Sequence, residues 1–255
     1  MTGSIWRRYM TETGSRGDGT GQWRPARFAA VVVEELSHRI IGGDLDAGDV
    51  LPTEPVLCEE FGFSRTVVRE GLKVLEQRGL VRVEQGRGTT VQPRSAWDLL
   101  DPEVLRIALA YDEDLTLLDD LISVRRVLER EMAAAAAGRL SDEDLEELAR
   151  LIEEMESSFG DYDRFRESDN AFHAIVMRAS GNEVGSTIVR VIHRYGGATP
   201  SLAAGASRAT LKRTAAEHRA ILEALAAGDG PLAGERVSAH IESHWAERKA
   251  RPKKA

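Results

Sequence analysis

The chain has 255 residues, enough for two domains, and its 34 basic against 42 acidic residues give a net charge of −8, which excludes a uniformly basic coat for nucleic acid. Its single cysteine, Cys58, excludes an intrachain disulfide and fits a reducing compartment. No apolar run approaches the ~20 residues of a membrane span, and the N-terminus lacks the apolar core of a signal peptide, so the expectation is a cytoplasmic protein with no membrane partner.

Residues 1 to about 25 are rich in Gly, Thr, Ser and Arg and read as a disordered arm, though Trp6, Arg7, Arg8, Trp23 and Arg24 could touch DNA. From Phe28 the spacing predicts a helix that turns Val31, Val32, Leu36, Ile40 and Ile41 inward and ends at Gly42-Gly43. Thr53 is placed to cap a short helix from Glu54, whose first turn tolerates Pro55. Val56, Leu57 and Phe61 are its expected apolar face, Cys58 a small core residue, and Gly62 its end. Ser64 is placed to cap the next helix, to about Arg78, with Val67, Val68, Leu72 and Leu75 facing the core. Arg65, Thr66 and Arg69 then fall at its exposed N-terminal end. Gly79 stops it, and 80–83 and 89–91 read as strands joined by the tip Gln85-Gly86-Arg87-Gly88.

Two short helices and a Gly-bounded hairpin in that order describe a winged helix-turn-helix, a shape that fits duplex DNA but also serves in protein-interaction domains. The net charge of −8 does not exclude DNA, because the distribution is what counts. Positions 64–91 hold six basic and three acidic residues, a local +3 within an acidic chain. Arg side chains there can bind guanine edges bidentately, each good pair discriminating by ~1–3 kcal/mol.

Positions 95–101 read as a linker, and Pro102 begins a new helix. Everything beyond reads as helical, at about 115–138, 141–158, 161–180, 183–195, 207–228 and 231–248. Gly181-Asn182 and Gly228-Asp229-Gly230 act as breakers, and Ser141 with Asp144 resembles a capping box. The alanine run 133–137 has high helix propensity and lets neighbours pack closely. The expected fold class is mainly α: a disordered arm (1–25), a winged helix-turn-helix (26–93), a linker with a connecting helix (94–114), an all-α bundle for effector and metal (115–248) and a solvated tail (249–255).

Asp169 and His173 stand four apart on one helix and share a face with Phe172, Ile175 and Val176, which points them inward. His218 and His240 lie on later helices, each followed by aliphatic residues. One carboxylate and three imidazoles converging in a bundle would suit a divalent transition metal, zinc first, nickel or manganese also. Histidines on helices are also common as plain core or surface residues, and spacing alone does not decide. His193 could line a cavity, or like His244 be exposed. Arg125 either faces a cavity and pairs with an anionic ligand or forms an intrahelical pair with Glu129. There is no HExxH, no Ser or Cys nucleophile constellation and no Gly-rich phosphate loop, so no enzyme is expected.

LPTE, SRTVVRE, LEQRGLV and the GRGT tip resemble the DNA-binding domain of the GntR family of bacterial transcription regulators, over about 27–93. The resemblance implies that Arg65, Thr66 and Arg69 read the groove or grip phosphates and that Gln85 and Gly86 enter the minor groove, with Arg87 beside them. Pro55 departs from the pattern, because many members carry Arg there. SDNAFHAIVMRASGN, AEHRAILEALAAGD and AGERVSAHI resemble the FCD ligand-binding domain of the FadR subgroup, over about 115–245. That resemblance implies that Asp169, His173, His218 and His240 hold the ion. It also implies a homodimer on a palindromic operator in double-stranded DNA: a repressor released by a small carboxylate effector. WDLLDPEVLR resembles the linker of members that sense sugar acids. The alternatives are a metal-stabilised regulator without an effector and a metalloenzyme.

Overall fold

The computed structural model of the chain describes residues 24–84, 86–196 and 206–250. They group into two compact units, one of residues up to Ile40 with Leu45–Ala96, the other of Ile41–Asp44 and everything from Trp97. The expectations for Trp6, Arg7, Arg8, Trp23, Gln85 and the tail past position 250 fall outside the described residues.

The first unit contains α1 (Arg24–Ile41), α2 (Glu54–Phe61), α3 (Arg65–Gln77), β1 (Val81–Glu84) and β2 (Gly88–Val91). Helix α1 starts four residues before Phe28, because Pro25 is tolerated in a first turn where its missing N–H would have no helical partner. Its buried line is Ala29, Val32, Val33, Leu36 and Ile40; Val31 and Ile41, both expected inside, are only half-buried. Thr53 and Ser64 have the extended backbone of cap residues, but neither hydroxyl makes a capping hydrogen bond. Gly62 adopts the left-handed conformation, φ 67°, that swings the chain from α2 into α3.

Val67, Val68, Leu72 and Leu75 are buried beneath α3 as their spacing requires. Gly71 allows the close approach to α1, since a Cβ there would lie 3.0 Å from Val32 Cγ1. Val56 departs from expectation. It is 49% exposed, so only Leu57 and Phe61 form the apolar face of α2, with Cys58 half-buried. Strands β1 and β2 pair antiparallel, Val81 opposite Val91 and Glu84 opposite Gly88, completing the winged helix-turn-helix.

The second unit is helical among its described residues: α4 (Pro102–Ala110), α5 (Thr116–Ala136), α6 (Asp142–Ser157), α7 (Tyr162–Ala179), α8 (Glu183–Gly196), α9 (Arg208–Ala226) and α10 (Gly230–Ala250). The buried Asp112 carboxylate accepts from Leu117 N at 3.0 Å and Leu118 N at 2.9 Å, satisfying first-turn donors of α5. Ser141 and Asp144 form the reciprocal capping box at the start of α6. Met132 and Ala133 from α5, Leu148 and Ile152 from α6, Phe172 and Val176 from α7, Ile221 from α9 and Val237 from α10 share one apolar core.

The alanine-rich end of α5 meets α10 at two glycines. A Cβ at Gly230 would lie 2.6 Å from the Ala134 carbonyl oxygen, and one at Gly234 would lie 2.7 Å from that of Arg130. The helices therefore pack backbone to backbone. No helix of the described residues is long and apolar enough to cross a membrane.

Candidate functional site

The apolar interior of the bundle encloses a polar knot. Glu129, His173, His218 and His240 are all buried, at 0%, 2%, 0% and 4% exposure, and Asp169 is partly buried beside them. Asp169 and His173 stand one turn apart on α7, His218 comes from α9 and His240 from α10. One ligand atom from each of Asp169, His173, His218 and His240 lies within 4.8 Å of the others.

The ring nitrogens on the far sides are all engaged. His218 Nδ1 is 2.8 Å from the Thr214 carbonyl oxygen, His240 Nδ1 is 2.8 Å from Glu217 Oε2, and His173 Nδ1 is 2.6 Å from Glu129 Oε2. A carbonyl or an ionised carboxylate only accepts, so the Nδ1 atoms of His218 and His240 carry the proton and their Nε2 atoms keep the lone pair, whereas His173 Nδ1 meets Glu129 Oε2 as a close ion-pair contact in which that oxygen accepts no hydrogen bond. His173 Nε2 and His218 Nε2 are buried without a hydrogen-bond partner, though His218 Nε2 lies 3.2 Å from Asp169 Oδ1. Buried polar atoms in native proteins are nearly always satisfied. Three imidazole lone pairs and one carboxylate, oriented by outer partners and facing one point, fit a divalent transition metal.

The electrostatics keep the ligands in the binding form. Burial, then the neighbouring His218 and His173, hold the His240 ring well below the usual histidine range. Burial also lowers His218, with the Asp169 charge opposing it. Asp169 is pulled the other way: burial alone would raise its carboxyl, but His218, His173 and His240 hold it below the carboxylate range. Neutral rings and a charged carboxylate are the states a metal needs.

Beside the knot, a cavity of about 870 Å³ lies along α7 and α8. His173 and His193 are part of its wall, as are Asn170, Arg166, Arg190 and Arg194. His193, left open by the sequence, is thus a cavity residue. His244 stacks on His240, ring centroids 6.4 Å apart. Arg125 follows the intrahelical alternative, its Nε 2.5 Å from Glu129 Oε1, and it is not one of the residues that line this cavity.

From spacing alone, Glu129 is a partner for Arg125 and nothing more. In the fold it also meets His173 and, at 2.9 Å, His193. The available signal was its register: Glu129 is in helical phase with Met132, Ala133 and Ala136, so a carboxylate sits on the buried stripe of α5. Glu217 and Thr214 were also missed. Thr214 meets His218 within α9 through its backbone carbonyl, which leaves no side-chain signal, and Glu217 meets His240 on α10, which spacing along α9 does not show.

In the first unit Arg65, Thr66 and Arg69 are exposed on one face at the start of α3. Arg69 is not loose: its Nε lies 2.9 and 2.7 Å from the two oxygens of Glu54. At the hairpin tip Gly86 takes φ 82° and the Arg87 side chain is 82% exposed, 3.5 Å from Glu84 Oε2.

Comparison with known proteins agrees with both units. The family model for bacterial regulatory proteins of the gntR family matches residues 28–91, and that for the FCD domain matches residues 120–243. The galactonate operon transcriptional repressor of Escherichia coli is 31% identical over 212 residues, covering 83% of this chain and 93% of that protein. The Glc operon transcriptional activator of Escherichia coli is 36% identical over 159 residues, covering 60% of this chain and 61% of that protein. The solved structure of Lar, which controls the expression of the Listeria monocytogenes agr system, has a TM-score of 0.54 at 18% identity, covering 92% of this chain and 99% of that one, and bears on the fold alone. These relatives are transcription regulators and not enzymes. The chain belongs to the GntR family of bacterial regulators, in the branch that joins a winged helix-turn-helix to an FCD domain.

Proposed function

We propose that this regulator is a repressor whose hold on its operator is released by a small carboxylate, a sugar acid first among them, bound next to a metal ion. Asp169, His173, His218 and His240 hold the ion, zinc in the first instance, with nickel or manganese as the other fits to this nitrogen-rich set. The bound ion supplies a Lewis-acidic centre that an effector carboxylate can ligate. The observation that carries the reading is the double membership of His173, which belongs to the ligand cluster and to the wall of the 870 Å³ cavity. Arginines on that wall favour an anion. An anion reaching Arg125 has to share it with Glu129.

In the first unit, Arg65, Thr66 and Arg69 contact base edges or phosphates, with Gln85, Gly86 and Arg87 in the adjoining groove. The protein acts as a cytoplasmic homodimer, which puts two recognition helices on a palindrome. Repression is favoured because the repressor among the relatives aligns over 83% of the chain and the activator over 60%.

Gel-shift titration of zinc-loaded protein on the DNA upstream of its own gene tests the reading, with galactonate, gluconate and a broad panel of small carboxylates added. A ligand can shift the equilibrium only by binding one arrangement better than the other. Release by at least one acid is the expected result. If no acid changes the shift, the sensor role fails and the metal is structural.

A further inference from the structure

Glu129 makes more contacts than a structural ion pair requires. Its carboxylate is fully buried and faces three donors from three helices: Arg125 Nε of α5 at 2.5 Å, His173 Nδ1 of α7 at 2.6 Å and His193 Nε2 of α8 at 2.9 Å. On its far side, His193 Nδ1 lies 3.0 Å from Asn170 Oδ1. Asn170 and His193 both line the cavity, and the other nitrogen of His173 faces the metal cluster. A continuous polar chain thus runs from the cavity wall, through one carboxylate, to a metal-ligand ring.

We propose that Glu129 is the positioning residue that couples the cavity to the metal site, holding His173 for the ion and His193 for the cavity with the same two oxygens. The inference rests on the reading of Asp169, His173, His218 and His240 as metal ligands. Its physical content is competition. Glu129 Oε1 bonds to His193 while Oε2 lies at ion-pair distance from His173 without a formed hydrogen bond, and a His193 N–H drawn toward a guest in the cavity no longer holds the carboxylate. The carboxylate then concentrates on His173, making the opposite nitrogen a better donor to the metal. Guest and ion thereby sense each other through the protein, beside any direct contact, and the coupling is reciprocal.

The prediction is read with zinc alone, by competition against a chromogenic chelator, on the full chain. Glu129→Gln keeps the shape, but its amide must turn a donor toward one of the three donors it faces. Outer partners of this kind are worth about 10–100-fold in metal affinity, and a loss in that range is expected. ¹⁵N spectra of the zinc-loaded protein should show the Nδ1–H form of His173 in the native chain and its loss in the variant. His193→Phe removes the competing donor and should tighten zinc binding severalfold, but only while Glu129 is present. Circular dichroism confirms folding, and Glu129→Asp, which withdraws the oxygens and keeps the charge, replaces the amide if that variant unfolds.

A His193→Phe tightening that vanishes in the Glu129→Gln background supports the coupling, and a weakening overturns it. No shift in the native background, or the same shift in both, overturns it. Native zinc affinity in Glu129→Gln, or in Glu129→Asp where the amide unfolds, overturns the positioning role. Failure of the native chain to bind zinc, nickel or manganese at all would instead remove the metal reading beneath it.

Discussion

Glu54 holds Arg69 across the turn from α2 to α3, both carboxylate oxygens within 2.9 Å of the guanidinium Nε. Glu54 closes the LPTE segment and Arg69 lies one turn into the recognition helix, so two motifs far apart in sequence meet as one unit. The Arg69 side chain is 66% exposed, and a solvent-exposed pair adds little stability. What the pair can do is orient: a guanidinium held at one edge presents the rest of its fork in a fixed direction.

Glu54→Gln should therefore leave the melting temperature nearly unchanged and erode sequence discrimination. Loss of one good bidentate contact is worth ~1–3 kcal/mol against a wrong base. Removing a negative charge near phosphates also raises indiscriminate binding. Fluorescence anisotropy on operator and scrambled duplexes should show their affinity ratio falling mainly through tighter scrambled binding. A ratio equal to that of the native chain would show that Arg69 needs no holding.

Arg65→Ala with Arg69→Ala tests whether α3 meets DNA at all. Each phosphate contact removed flattens the dependence of log affinity on log salt by about 0.9. If both side chains grip phosphate, the slope should drop by roughly two such steps and all sequences should weaken alike. If they read bases, the slope should hold and the operator alone should suffer. Unchanged operator binding at every salt concentration would remove this helix from the interface.

Metal removal should act on the FCD unit. A ligand that binds only the folded state stabilises it by ~2.7 kcal/mol at a hundred times its dissociation constant. Chelator treatment should lower the melting transition, and zinc should restore it. Asp169→Asn should keep the fold and blunt the zinc response, because the amide brings no charge to the ion. A melting curve indifferent to chelator and zinc alike would mean that the histidines are ordinary core residues.

The two halves differed in how much of them could be read from sequence. The helix-turn-helix was legible because its determinants are local: Val67, Val68, Leu72 and Leu75 repeat at helical spacing, and Gly62 has the one conformation that fits the turn. Val56 misled because in an eight-residue helix one apolar residue does not define a face. The cluster of Asp169, His173, His218 and His240 was half legible. Asp169 and His173 declare their shared face by spacing, whereas His218 and His240 join them only through packing of separate helices. Glu129 was hidden by its own neighbour, since Arg125 four residues before it offers a complete local account of the charge. Its contacts to α7 and α8 are tertiary and leave no trace in spacing.

Gly234 allows the packing of α5 on α10 to be set against helix propensity. In an exposed helix interior, replacing Gly by Ala stabilises by roughly 0.8–1 kcal/mol. Here the added Cβ would lie 2.7 Å from the Arg130 carbonyl oxygen, a backbone atom that cannot swing aside. Overpacking of this kind costs typically about 1–3 kcal/mol. The two effects oppose, and the clash should win by up to about 2 kcal/mol in Gly234→Ala, read as a lower denaturant midpoint with the same slope. Since α5 carries Glu129 and α10 carries His240, parting them should also weaken zinc binding, although neither residue is altered. A net stabilisation near 1 kcal/mol would mean that propensity dominates and that the helices have room to spare.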